Sequence, residues 1–534
     1  MKKASIRSLL LIVPVVIFII QYCFIKKIYP LYLDSDPAYQ YLLNGLLILN
    51  GHSPYHIDHP GTPVQTLIAG VLYVSWSIAK LMGWSNDALD ISVGSHPERY
   101  LQIISYVLVV LNCTASYILG DRVLKSTNRM GLGIFVQACA VAFGVVFARM
   151  AYPEPESLLM FGSMLLVAVL APSIFSKDAN SKKDSVTPIL TGLLCGFGVA
   201  VKLTFIPMVA LVLLLKSPRA ILLSFGAALV SWFFCVLPMI KALPRFFNWV
   251  GGIATHSGHY GSGKAEFIDL STIRPALRSL TNVFDLWFLV ALCLGGVVLG
   301  ILLLRLVKKS SSIRANSSNT LLNLIYTPSV LLIVMLGQTM LVLKHPGAHY
   351  MVPALIIEAT GAAWMLNSLF KLSLGAKLQR IAFSLLSVVG VLLMLGAANS
   401  SYKQLAEERE LFKSDMVQVQ TAIAKFDNPI LIGTYGCRLP QCAMSFGLGY
   451  APATDPKVGA LLTNFYDFNI WISKLVIRGH GFYNLDIVEH DLSEKRNVLL
   501  VTNQAYEQLK VFKLVPIFIG QAQSIYQITG LNTQ

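Results

Sequence analysis

The sequence predicts a polytopic α-helical membrane protein closed by a small soluble α/β domain, on three observations. Of its 534 residues, 55% are hydrophobic and only 13% charged, where a soluble domain carries about 25% charge. Apolar runs near 20 residues recur from Leu9 to about Ala398, each long enough to cross a hydrocarbon core of about 30 Å. Beyond them ordinary charge density returns and no spanning run remains, so residues 1–399 read as a membrane module and 400–534 as a domain of ordinary size.

The first run, "MKKASIRSLLLIVPVVIFIIQYCF", starts basic but has no small-residue cleavage site and is longer than a signal-peptide core. It reads as a retained signal anchor with its amino end in the cytosol. The net charge of +15 resides mainly in short loops between spans, as at Arg122, Lys125 and Arg129 or Arg305, Lys308, Lys309 and Arg314. That is the positive-inside pattern. It predicts contact with membrane lipids and no nucleic-acid partner, in an integral protein of a bacterial inner membrane.

Fixing the basic loops inside puts the first loop (29–63), "ARMAYPEPES" (148–157), the turn at Lys202, "KHPGAHY" (344–350) and the carboxyl-terminal domain on the opposite, periplasmic or extracellular face. Parity then requires residues 64–83 to be a re-entrant or juxtamembrane helix, giving eleven crossings, whereas hydropathy alone gives twelve. The segments 188–201 and 204–216 are each too short to span and meet at "VAVKLTF". A helix broken at membrane depth is tolerated where it is buried in protein or lines a wet cavity, which makes Lys202 a candidate cavity residue.

Asp34 and Asp36, in "LDSDPAYQYLLNG", carry the strongest chemical signal. Pro37 suits the first turn of a helix with Asp36 as its cap, and the following apolar spacing predicts an amphipathic interfacial helix. Capping alone would explain Asp36. A carboxylate fixed at a membrane surface can also take the proton of an attacking hydroxyl, and cations on the same face can neutralise a phosphate. Those cations are Arg149, Lys202, Lys344 and His349, with His345 and Tyr350 nearby. Snorkelling explains a single one of them. Four on one face point to a shared anion site. Glu154 and Glu156 open a span, where they complement the helix dipole or position an acceptor.

The spacing of His52, His56 and His59 is interrupted by Gly51, Pro54 and Pro60 and favours loop packing over a metal site, leaving His59 to order the loop. "GGIATHSGHYGSGKAEF" lacks the strand and GKS or GKT of a nucleotide loop and reads as an outer lid. No G-x-S-x-G elbow occurs. Cys437 and Cys442 can pair if their domain meets an oxidising compartment. In that domain "PILIGTY", "NVLLVT", "LVPIFIG" and "SIYQIT" read as strands among helical stretches.

The acidic pair of the first loop, the helix after it and "HPGTP" resemble the first-loop pattern of GT-C glycosyltransferases, polytopic enzymes using polyprenyl-phosphate-linked sugars. Protein O-mannosyltransferases place an Asp-Glu pair and His-Pro-Pro there, and lipid A aminoarabinose transferases are similar with Lys-Pro-Pro. Here the acids stand as Asp34-Ser-Asp36, closer to the Asp-x-Asp of GPI mannosyltransferases, and Gly61 replaces the second proline. "ARMAYPEPES", "GFGVAVKLTF" and "KHPGAHYMVPAL" resemble later islands of the same superfamily in the same order.

The resemblance implies a GT-C-like fold and an inverting transfer of a hexose or pentose from a polyprenyl phosphate to a lipid, glycan or protein acceptor. It implies Asp36 as base, Asp34 as its orienting partner, and Arg149, Lys202, Lys344 and His349 around the donor phosphate. Departure from Asp-Glu leaves open which aspartate is the base. No cofactor is expected, although oligosaccharyltransferases of this architecture use a divalent metal. A polymerase or ligase of polyprenyl-diphosphate glycans would want a more arginine-rich loop than 241–282, which has Arg245, Arg274 and Arg278. A transporter or flippase would want inverted repeats, and residues 201–398 do not repeat the pattern of 1–200.

Overall fold

The structure is a computed structural model and describes residues 7–34, 36–58, 61–175, 185–256, 263–266, 278, 316–343, 347–373, 375–434, 437–451, 469–471, 485–503 and 510–532. Among these, seven helices are long and apolar enough to cross a membrane: Leu9–Ile28, Thr62–Leu81, Pro97–Thr127, Pro155–Phe175, Pro218–Thr255, Ile325–Val342 and Ala376–Ile423. With a carboxyl-terminal five-stranded sheet, the protein is a polytopic α-helical membrane protein bearing a small α/β domain. The described chain forms two compact units. One comprises Met1–Tyr22, Ile57–Pro63 and Val107–Ser401, the other Cys23–His56, Val64–Tyr106 and Tyr402–Gln534.

In the first unit the expected broken span is present. Helix Val186–Val201 ends where Lys202 turns extended (φ −162°, ψ 137°), and a 3-10 helix continues over Leu203–Leu215. The break is tight because a Cβ on Gly198 would come within 2.3 Å of the Phe205 ring, so only glycine lets that ring return against the helix. A second interrupted stretch runs through helices Met130–Cys139 and Gly144–Arg149. Gln21 donates to the carbonyl of Phe147 at 2.7 Å and satisfies a backbone group beside that second break.

The stretch expected over 64–83 is the single helix Thr62–Leu81, of a length that can span. Helix Ala38–Leu49 departs from the expected interfacial form, because ten of its residues from Ala38 to Leu47 are buried around its whole circumference. Helix Pro440–Gly449 closes on it so tightly that a Cβ on Gly447 would lie 2.9 Å from the Tyr39 carbonyl oxygen. The expected cap is also corrected: the N-cap position is Pro37, with no side-chain cap, and Asp36 instead accepts a hydrogen bond from the Gln40 side chain at 3.3 Å. Polar satisfaction fixes the next turn. Asn44 donates to the Tyr450 carbonyl and accepts from the Tyr55 and His56 amides.

The sheet has strands β1 (Ile430–Thr434), β2 (Asn469–Trp471), β3 (Val498–Thr502), β4 (Phe512–Ile519) and β5 (Ser524–Leu531) in the order β2-β1-β3-β5-β4. β1 is parallel to β2 and β3, while β5 is antiparallel to both β3 and β4. The buried run of β3 follows from burial on both faces. Leu499 and Val501 face Met416, Val419, Ala422, Leu439 and Leu33 on one side, and Val498 and Leu500 face Val488, Phe512 and Ile528 on the other. Pro516 is tolerated because β4 lies at the edge. The 48-residue helix Ala376–Ile423 supplies Met416, Val419 and Ala422 to this core. Cys437 and Cys442 are joined in a disulfide in the same core, with Cα atoms 5.6 Å apart.

Candidate functional site

The first unit gathers Arg149, Glu154, Glu156, Lys202, His349 and Tyr350 through interlocking contacts. Arg149 ends the helix Gly144–Arg149, and its Nη1 donates to Glu154 Oε2 at 2.8 Å. Its guanidinium also lies 5.3 Å from the centre of the Tyr152 ring. Lys202 projects from the helix break and donates to Glu156 Oε1 at 2.5 Å. The same ammonium lies 4.3 Å from the centre of the Tyr350 ring, and the centre of that ring is 4.0 Å from the centre of the His349 ring at a tilt of 50°.

Supporting hydrogen bonds hold the segment between Arg149 and Glu156. Ser157 Oγ donates to the Met150 carbonyl, and Asn112, from helix Pro97–Thr127, donates to both the carbonyl and hydroxyl of Ser157. Gln338 donates to the Tyr350 carbonyl at 2.8 Å and fixes the backbone that presents His349 and Tyr350. Tyr350, Glu154 and Glu156 are buried and His349 is half-buried.

Charge sets the character of the cluster. The side chains of Lys202 and Glu156 are only 5% and 2% exposed, whereas that of Arg149 is 32% exposed. Burial pushes the Glu154 carboxyl up to about 8, opposed by Arg149 and Lys202 and reinforced by Glu156. Glu154 Oε1 is buried with no hydrogen-bond partner among the described residues. An ammonium has three donors, so the bond of Lys202 to Glu156 does not use all of them.

Asp34 and Asp36 belong to the second unit. Both are exposed, at the end of the 3-10 turn Leu31–Asp34 and just after it, while the backbone before them is held by buried charge. Glu98 accepts from the amides of Leu31 (2.7 Å) and Tyr32 (2.8 Å) and from the Tyr39 hydroxyl (2.7 Å). Arg409 donates to the Pro30 carbonyl at 3.1 Å, and Arg438 donates to the Leu33 carbonyl. Burial lowers the pKa of Arg438, and the Asp34 carboxylate nearby opposes that shift.

Sequence reasoning missed Glu98, Arg409 and Arg438. Glu98 sits at the start of an apolar helix, where a dipole-complementing acid is ordinary, and the two arginines stand among ordinary charged residues. The one available signal was an acid two residues after His96 in a long outer segment. Sequence reasoning did single out Glu154 and Glu156, as dipole or acceptor groups, without pairing them to Arg149 and Lys202. His59 and Lys344 lie outside the described residues. His56 is buried, its ring edge-on to Tyr41 and Tyr450, and among the described residues no group of three His, Cys, Asp or Glu side chains could hold a metal ion.

Residues 100–334 match the sequence family Glycosyltransferase family 87, GT87. No curated protein matches the chain in sequence. Among solved structures, ArnT from Cupriavidus metallidurans bound to undecaprenyl phosphate is similar with a TM-score of 0.47 at 10% identity, covering 96% of this chain and 97% of that one. The same protein in the apo state gives 0.48 at 11% identity with the same coverage. The GT87 segment includes Arg149, Glu154, Glu156 and Lys202 and ends before His349. The match to a glycosyltransferase family thus covers the stretch that supplies most of the charged cluster.

Proposed function

We propose that the chain is an inverting glycosyltransferase that moves a sugar from a polyprenyl-phosphate donor to an acceptor hydroxyl on the extracytoplasmic face. The observation that supports this reading most is the buried Lys202–Glu156 pair beneath Tyr350, inside a segment that matches a glycosyltransferase family. A buried ion pair costs desolvation and stabilises little over an apolar pair. Its retention in a membrane module fits a functional role.

Asp36, oriented with Asp34, takes the proton of the acceptor hydroxyl. The oxygen attacks the sugar C1 from the face opposite the lipid phosphate, the C1–O bond to phosphate breaks with its electron pair passing to the phosphate, and C1 inverts. Arg149, Lys202, Lys344 and His349 receive the negative charge that develops on the phosphate, which needs no metal ion. Glu154 and Glu156 hold the two basic side chains in place, Tyr350 covers the ammonium, and His59 orders the first loop.

Membranes containing the chain, incubated with a panel of labelled polyprenyl-phosphate sugars, test the reading. One sugar should leave its carrier and appear on an acceptor with inverted C1 configuration. Retained configuration, or release from diphosphate carriers alone, would contradict it.

A further inference from the structure

The backbone leading to the two aspartates is held by side chains from far along the sequence. Over residues 30 to 33, the Pro30 carbonyl takes Arg409, the Leu31 and Tyr32 amides share the carboxylate of Glu98, and the Leu33 carbonyl takes Arg438. Glu98 also receives the hydroxyl of Tyr39, in the first turn of the next helix, so a single carboxylate ties both sides of the acidic turn. Leu33 is buried in the core formed by Met416, Leu439 and the Cys437–Cys442 disulfide. All of these residues lie in the second unit.

Such an arrangement is costly to build. Arg409 is 1% exposed, and the Nε atoms of Arg409 and Arg438 are buried with no hydrogen-bond partner. Buried guanidinium donors left without partners destabilise a fold, so their retention calls for a function. What they hold rigid is a turn whose only exposed charged groups are Asp34 and Asp36. Charged-group hydrogen bonds to backbone are the stronger kind and define direction, and a base displaced by about 1 Å can lose about 100-fold in rate.

We propose that Glu98 is a positioning residue that, with Arg409 and Arg438, fixes the 30–36 backbone so that the aspartates present their carboxylates to the acceptor. This rests on the assignment of the base to that loop above. The aspartates make the chemical contact, and Glu98 acts only through the backbone.

The test compares full-length Glu98→Ala, Glu98→Gln and Tyr39→Phe with the native chain by amide hydrogen exchange of the 29–36 segment and by steady-state sugar transfer. In Glu98→Ala, exchange at Leu31 and Tyr32 should quicken by about tenfold or more with the rest of the chain unchanged. Its kcat should fall about 100-fold at unchanged KM for the donor. Glu98→Gln, which keeps one accepting oxygen, should be intermediate, and Tyr39→Phe, which removes one bond without disturbing the fold, should lose a few-fold in kcat. If Glu98→Ala does not fold, Tyr39→Phe and Glu98→Gln carry the test by the same two readouts. Native exchange over 29–36, or full kcat with a loosened loop, would overturn the proposal. A native chain that transfers no sugar, yet shows the exchange effect, would overturn the proposed function and keep the clamp.

Discussion

Lys202 and Glu156, 46 residues apart in sequence, meet as an ion pair with both side chains at least 95% buried, and the aromatic face of Tyr350 covers the ammonium. The lysine reaches this position because its backbone turns extended between two helices, and the glutamate because the next span begins one residue before it.

Removing one partner should therefore cost more than removing both. Lys202→Met strands a buried carboxylate and should destabilise the protein by about 3–5 kcal/mol. The double change Lys202→Met with Glu156→Gln should recover most of that loss while transfer stays abolished. Thermal unfolding in detergent, set beside a transfer assay, separates the two effects. Activity in the double variant would remove Lys202 from the phosphate site.

Tyr350 offers a finer distinction. Phenylalanine keeps the aromatic face over the ammonium and leucine does not, and a desolvated cation–π contact contributes up to about 2 kcal/mol. Tyr350→Phe should bind donor as the native chain does, while Tyr350→Leu should raise the donor KM about tenfold. Equal behaviour of the two variants would show that the ring serves packing alone.

The Glu154 carboxyl predicts a pH dependence of stability. Burial raises it to about 8 in the fold, against about 4.3 in an unfolded chain. Its neutral form is favoured by the fold, so this contribution is complete below the unfolded value and is lost as pH rises through about 8. The melting temperature should fall between pH 5 and 8, and Glu154→Gln should flatten that slope. A slope unchanged by the substitution would assign the pH dependence to other groups.

The disulfide closes a short loop beside the residue that holds Leu33. Chain entropy for a loop of this size amounts to about 2 kcal/mol. Cys437→Ser with Cys442→Ser should lower stability by about that much, and alkylation before reduction should find both thiols blocked in protein taken from cells. Free thiols in freshly extracted protein would place the domain in a reducing compartment, against the proposed topology.

What the sequence made legible follows from the range of the interaction concerned. A lysine inside an apolar run marks a broken helix by itself, and the break at Lys202 lies where the two short halves predicted it. The continuous apolar run of "NVLLVT" and the β-branched and aromatic residues of "SIYQIT" likewise marked β3 and β5. The form of helix Ala38–Leu49 was not legible, because the helix that covers it, Pro440–Gly449, lies some 400 residues away. The same distance hid the bonds from Arg409 and Arg438 to the Pro30 and Leu33 carbonyls. An isolated acid such as Glu98 has no periodicity to betray it, and only folding shows which amides it receives.

The central claim is that Asp36 removes the proton of the acceptor. Sugar transfer by purified Asp36→Asn, beside Asp178→Asn from a basic loop assigned to the other face, tests it most directly. The account predicts loss of at least about 100-fold in kcat for Asp36→Asn, with native folding, native hydrogen exchange over 29–36 and full activity in the control. Transfer by Asp36→Asn at the native rate would contradict it.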